Sequence, residues 1–234
     1  ITFQYDSSAA SGSGSGSGSG GSGTSGITTY GNGSTWNVVD LRGSQGSDPG
    51  NFMFMAVGDT LYFDADNGSS EGRELWAYDT SNDSTWLVAD IWPGMASSNP
   101  GQRMVALVGD TLYFDANDGT NGRELWAHDI SNHSTWLVTD LSIGSGWMGD
   151  SEPGYWMAVV VGDTLYYDGY NTTTGRELWA HDTSNHSTWL VADLVANTGS
   201  SSDPGKWMSH LIGDTIYFAA EADGVSGREL WAHS

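Results

Sequence analysis

The stretch Gly109–Asp140, GDTLYFDANDGTNGRELWAHDISNHSTWLVTD, decides the fold, because its motifs recur along the same chain. Gly-Asp-Thr-Leu/Ile-Tyr-Phe/Tyr starts at Gly58, Gly109, Gly162 and Gly213. Gly-Arg-Glu-Leu-Trp ends on Trp76, Trp126, Trp179 and Trp231, and Ser-Thr-Trp-x-Val-x-Asp carries Trp86, Trp136 and Trp189. Pro-Gly-x-x-Met begins nine residues before each first motif, at Pro49, Pro100, Pro153 and Pro204, so the steps are 51, 53 and 51 residues. A period of this size marks a repeat architecture whose units bury their faces against one another.

Each unit reads as four short strands. In the second they are predicted at Met104–Val108, Thr111–Asp115, Glu124–His128 and Thr135–Asp140, separated by loops of Gly, Asn, Asp and Ser. Neighbours such as Leu112, Tyr113 and Phe114 place apolar groups on both faces, which suits a sheet sandwiched between other sheets. The expected fold is therefore all-β, a four-bladed β-propeller with four-stranded blades. The fourth repeat stops after its third strand, at Leu230–Ser234, while an extra copy of the fourth strand, Asn32–Asp40, stands near the other end. The N-terminal strand is thus expected to complete the last blade, either within one chain or by exchange between chains, and closure removes open edges. Residues 29–234 form the expected propeller and residues 1–28 an N-terminal arm.

Within the arm, Ile1–Asp6 alternates apolar and polar residues like a strand, and Ser11–Gly23 is almost pure Ser-Gly. Alone, such a run is a flexible coil. It can also lie as a flat strand in a narrow groove, so Ile1, Phe3 and Tyr5 are candidate assembly residues that would dock on a neighbouring copy.

Composition excludes several classes. Seven basic against 29 acidic residues give a net charge of −22 and repel nucleic-acid backbones and anionic membranes alike. No apolar run spans a bilayer. With no cysteine there is no disulfide framework, thiolate metal site or cysteine nucleophile.

The stretches Leu137–Asp140, Pro153-Gly154, Gly162–Tyr167 and Gly175–Trp179, with Tyr113–Trp126 matching best, resemble the ELWxxDGT repeat family of large secreted and surface proteins of bacteria and archaea. The resemblance covers about residues 29–234 and implies a propeller outside the cell, with no settled activity. The chain departs from the family at Ala180–Trp189, where Ala-His-Asp-Thr-Ser-Asn-His-Ser-Thr-Trp replaces the family's Asp-Gly-Thr turn.

Candidate sites follow from residue chemistry. Arg73-Glu74, Arg123-Glu124, Arg176-Glu177 and Arg228-Glu229 recur in every unit and read as a pairing network that orients each third strand. Asp64 and Asp66, and Asp115 and Asp118, lie in oxygen-rich loops that suit calcium, although a tight polar turn explains them too. The pairs His128/His133 and His181/His186 flank hairpin turns, but a metal site needs a third ligand that the sequence does not supply. Eight repeat tryptophans read as packing between units; Trp92 and Trp147, in the loops between units, are the better candidates to stack on a sugar. Sequons stand at Asn32, Asn67, Asn82, Asn132, Asn171 and Asn185, all in predicted turns. No Ser-His-Asp set, phosphate loop or HExxH motif occurs, so no enzyme is expected. The expectation is a secreted structural subunit that assembles with copies of itself at the cell exterior, the alternative a carbohydrate-binding propeller. No cofactor is expected apart from possible calcium.

Overall fold

A computed structural model describes residues 28–30, 33–68, 71–143, 149–195, 199–222 and 227–234. It divides into two compact units, Ile1–Val38 and Val39–Ser234. In the first, β1 (Thr28–Tyr30) and β2 (Gly33–Thr35) form an antiparallel pair.

The second unit is all-β, with four antiparallel sheets in chain order. The first holds β3 (Phe54–Val57), β4 (Thr60–Asp66), β5 (Arg73–Asp79) and β6 (Ser84–Ala89). The next holds β7 (Val105–Val108), β8 (Thr111–Asn117), β9 (Arg123–Asp129) and β10 (Ser134–Thr139). In the third are β11 (Ala158–Val161), β12 (Thr164–Asn171), β13 (Gly175–Asp182) and β14 (Ser187–Ala192), and in the fourth β15 (Ser209–Ile212), β16 (Thr215–Ala222) and β17 (Gly227–His233). Each sheet is a meander in which consecutive strands pair, so every expected strand of the second repeat is present within a residue or two.

The hairpin from third to fourth strand shows why these residues turn. Asp79 accepts hydrogen bonds from the Ser81 amide and hydroxyl (2.7 and 2.6 Å), and Asn82 accepts one from the Ser84 amide (3.0 Å). The last loop residue is left-handed: Asp83, His133 and His186 have φ of 58, 60 and 59°. Short polar side chains bonding to their own backbone hold such turns.

The core lies between sheets. Tyr62, Leu75 and Ala77 of the first pack against Leu112, Phe114 and Ala116 of the second, and the same faces meet at the next two junctions. Both faces of an inner sheet are dry, as the apolar neighbours Leu112, Tyr113 and Phe114 implied.

Among the described residues the fourth sheet has three strands, and the outer edge of β17 carries no partner strand.

Candidate functional site

The repeated Arg-Glu dipeptide does not pair with itself. Successive strand residues point to opposite faces, so the two side chains part and serve different partners. Arg123 turns into its own sheet, where Nη1 lies 2.6 Å from Asp115, and it donates to the Asn99 and Ser98 carbonyls at 3.0 and 3.2 Å. Arg73–Asp64 at 2.6 Å and Arg176–Asp168 at 2.7 Å repeat the arrangement. In the fourth sheet Ala219 stands in place of the aspartate, and Arg228 reaches Glu221 at 3.0 Å and Asp203 at 3.5 Å instead.

Glu124 turns the other way and grips the loop that begins the next unit. Its carboxylate accepts the Ser151 amide at 2.9 Å, the Ser151 hydroxyl at 2.5 Å and the Leu141 amide at 3.1 Å. Glu74 holds Ser98 and the Ile91 amide, and Glu177 holds Ser202 and the Leu194 amide, in the same way. All three glutamates and all three serines are fully buried. Each loop is thus fixed from two sides, by the arginine of its own sheet and the glutamate of the sheet before.

Two residues after each of those loop serines comes the proline of Pro-Gly, and the glycine is a contact point. Gly101, Gly154 and Gly205 have φ of 71, 71 and 82°. A methyl built on them would sit 2.4, 2.6 and 2.6 Å from Met53, Met104 and Met157 of the preceding sheet. Only glycine meets both demands.

Burial raises the carboxyl pKa of these clamps, to about 7 for Glu74, about 8 for Glu124 and about 6 for Glu177. Burial also pushes Asp115 and Asp168 up, against the pull of Arg123 and Arg176. The folded chain therefore keeps clamp protons that the unfolded chain has released above pH 4.5, and stability falls as pH rises through 6 to 8. His128 and His181, pushed down to about 4 by burial, act oppositely. Their unfolded imidazoles take up protons below about 6.5, which erodes stability as pH falls toward 4. The thermal midpoint should be highest in mild acid, and stability should drop by roughly 2 kcal/mol between pH 6 and 9. Calorimetry across that range checks it; a midpoint that rises toward pH 9 contradicts it.

A cleft of about 600 Å³ opens where the first and second sheets meet, lined by Tyr62, Asp79, Trp86, His128 and His133 among others. The His128 and His133 rings stand 6.5 Å apart, so the sequence correctly placed them near each other. His128 is buried, its Nδ1 is 2.9 Å from the Thr135 hydroxyl, and its ring lies 5.5 Å from Tyr62. His181, Thr188 and Tyr113 repeat this set at the next junction. No group of three or more His, Cys, Asp or Glu residues with metal-binding geometry exists among the described residues. A feature present at successive junctions reads as a packing device.

The calcium candidates do not converge. Asp64 and Asp115 are buried in their arginine pairs and each accept two backbone amides. Asp66 pairs with Arg42 at 2.7 Å, and Asp118 closes its own turn by accepting the Thr120 and Asn121 amides. Asn82, Asn132 and Asn185 are exposed in the hairpin turns, while Asn67 and Asn171 are half-buried. Asn32, Trp147, Ile1, Phe3 and Tyr5 lie outside the described residues. Trp92 is half-buried against the next unit's loop, where a methyl on Gly119 would come within 2.3 Å of its ring.

Sequence reasoning missed a band of aromatic and cationic side chains just before each Pro-Gly methionine. Arg103 and Arg176 stack on Tyr155 at 4.2 and 5.2 Å, Lys206 on Trp156 at 5.4 Å, and Arg228 on Trp207 at 5.1 Å. Trp156 is 37% and Trp207 77% exposed, far better placed than Trp92 to meet a ligand. The signal was the two aromatic residues falling outside the repeat positions, in the same slot as Phe52 and Arg103.

These features define an all-β tandem-repeat scaffold whose sheets are joined by carboxylate clamps. No family model matches the chain, and no curated protein does. Among solved structures it is similar to TolB from Acinetobacter baumannii, at 13% identity and TM-score 0.40 over 86% of this chain and 46% of that one. It is similar also to the GH74 xyloglucanase from Xanthomonas campestris, at 15% identity and TM-score 0.46 over 76% and 26%. A chain of the nidogen/laminin complex shows 9% identity and TM-score 0.41 over 76% and 62%. The chain spans 46%, 26% and 62% of the length of these three solved chains. With identities of 15% or less and TM-scores below 0.5, these likenesses assign no activity.

Proposed function

We propose that the chain is a structural subunit of an extracellular filament or cell-surface assembly, its four sheets acting as propeller blades whose array is completed between chains. The observation that carries this reading is the last sheet: β17 ends it as an edge without a partner strand among the described residues, while Asn32–Asp40 repeats the sequence of the strand that sheet lacks. An open edge of this kind templates pairing with another chain. Three sequons exposed in hairpin turns, at Asn82, Asn132 and Asn185, suit a glycosylated outer surface. The acidic charge keeps such subunits apart until a specific face engages. Among the described residues no helix is long and apolar enough to cross a membrane.

Negative-stain electron microscopy and light scattering on the intact chain, and on one lacking residues 1–26, test this reading. Filaments or large oligomers in the intact chain are expected. Their collapse on deletion assigns the joint to the arm, and their survival assigns it to the repeats. Monomers in both samples overturn the reading.

A second reading has its own observation, the exposed Trp156 and Trp207 beside Lys206 and Arg228, a pattern suited to stacking on an acidic sugar. Binding to a glycan array that vanishes in Trp207→Ala would favour it over assembly as the main role.

A further inference from the structure

The three junctions between sheets are copies of one interface, and among the described residues the first and fourth sheets each leave one half of that interface without its mate. At the junctions, the tail-face leucines Leu75, Leu125 and Leu178 are at most 1% exposed, and the head-face residues Leu112, Leu165 and Ile216 are 0% exposed. On the first and fourth sheets two of these positions are open, with Leu230 65% exposed on the tail and Leu61 43% exposed on the head. On the head Phe63 and Ala65 are already buried with Leu41 packed against them, as Ile91 packs on Phe114 and Ala116 at the first junction.

The polar half of the interface is split in the same way. Glu229 occupies the clamp position of Glu74, Glu124 and Glu177, yet it is exposed and makes no hydrogen bond among the described residues. Ser47, in the Ser-x-Pro-Gly loop before the first sheet, is the counterpart of Ser98, Ser151 and Ser202. It is only half-buried, and no carboxylate takes its amide or hydroxyl among the described residues. The methionine contact follows suit: Met208 is 44% exposed where Met53, Met104 and Met157 are buried. Its glycine, Gly50, has φ 71° but no side chain near enough to forbid a methyl.

We infer that the tail face of one copy docks on the head face of a second copy, with Glu229 gripping Ser47, Met208 seated on Gly50 and Leu230 packed toward Leu61. The inference rests on the assembly reading and names its surface: the repeat interface itself, made a fourth time between chains. The partner is argued from complementarity, since each half fits a mate that the chain already displays three times. It is a second copy because Leu61 on the head and Leu230 and Met208 on the tail are exposed at once in the folded chain. Head and tail are different surfaces, so the contact is heterologous and propagates into an open filament or a closed ring.

Sedimentation velocity on the full-length chain and two variants tests this. Leu230→Asp blocks the tail and Leu61→Asp the head, both at exposed positions, and circular dichroism checks that each stays folded. The wild type is expected to form large species, and each variant alone to run as a monomer near 24.9 kDa. An equimolar mixture of the two should give a one-to-one dimer, because each variant keeps the half that the other needs. If the wild type assembles and the variants assemble equally well, or the mixture stays monomeric, the inference falls while the assembly reading stands. If the wild type is monomeric at every concentration, both fall. A thermal midpoint that then drops in Leu230→Asp would show the two faces mating within one chain.

Discussion

Arg123→Ala should lower the stability of the chain by about 3 to 5 kcal/mol, the usual cost of breaking a buried ion pair by removing one partner. Asp115 is fully buried and Arg123 only 6% exposed. Without the guanidinium, the Asp115 carboxylate keeps only the Arg103 and Met104 amides, at 2.8 and 2.9 Å. The Asn99 carbonyl loses its side-chain donor and the Ser98 carbonyl keeps only the Asn117 amide, at 3.0 Å, which loosens the loop joining the first and second sheets. For a chain of this size the thermal midpoint should fall by about 10 °C. Arg123→Lys should recover little, since one ammonium cannot span a carboxylate and two carbonyls at once. Thermal unfolding followed by circular dichroism reads the effect, and a midpoint within a degree or two of wild type would contradict it.

Glu124→Ala should cost about 1 to 3 kcal/mol, because the half-buried Leu141 amide loses its acceptor and an orphaned donor costs about that much. The Ser151 amide and hydroxyl are left with the Arg123 carbonyl alone, at 3.1 and 3.3 Å. Glu229→Ala removes the same residue type from the same repeat position, yet in dilute solution it should change stability by less than about 0.5 kcal/mol, as expected of an exposed site. Urea unfolding of both variants checks the contrast. Equal losses would mean that Glu229 is clamped as firmly as Glu124, and that the tail is already covered.

The strands and the units were legible because their signals are local. Apolar residues on both strand faces, punctuated by Gly, Asn and Asp, placed the second repeat's strands within a residue or two. What joins one unit to the next was harder to read. Arg123 and Glu124 are adjacent in the chain, so they read as one pair, although strand alternation already sends them to opposite faces. The partner of Glu124 is Ser151, 27 residues on, and the clue was the serine standing before every x-Pro-Gly. Trp92 and Trp207 are equally aromatic in the sequence. Their difference is tertiary, because Trp92 lies on Gly119 while Trp207 is 77% exposed with Arg228 across its ring.

The central claim is that the first and fourth sheets present two complementary faces that other copies fill. Static light scattering of the intact chain over a wide dilution series tests it most directly. The account predicts a weight-average mass that climbs with concentration in multiples of 24.9 kDa and falls back on dilution. A mass fixed at 24.9 kDa across the series would contradict it.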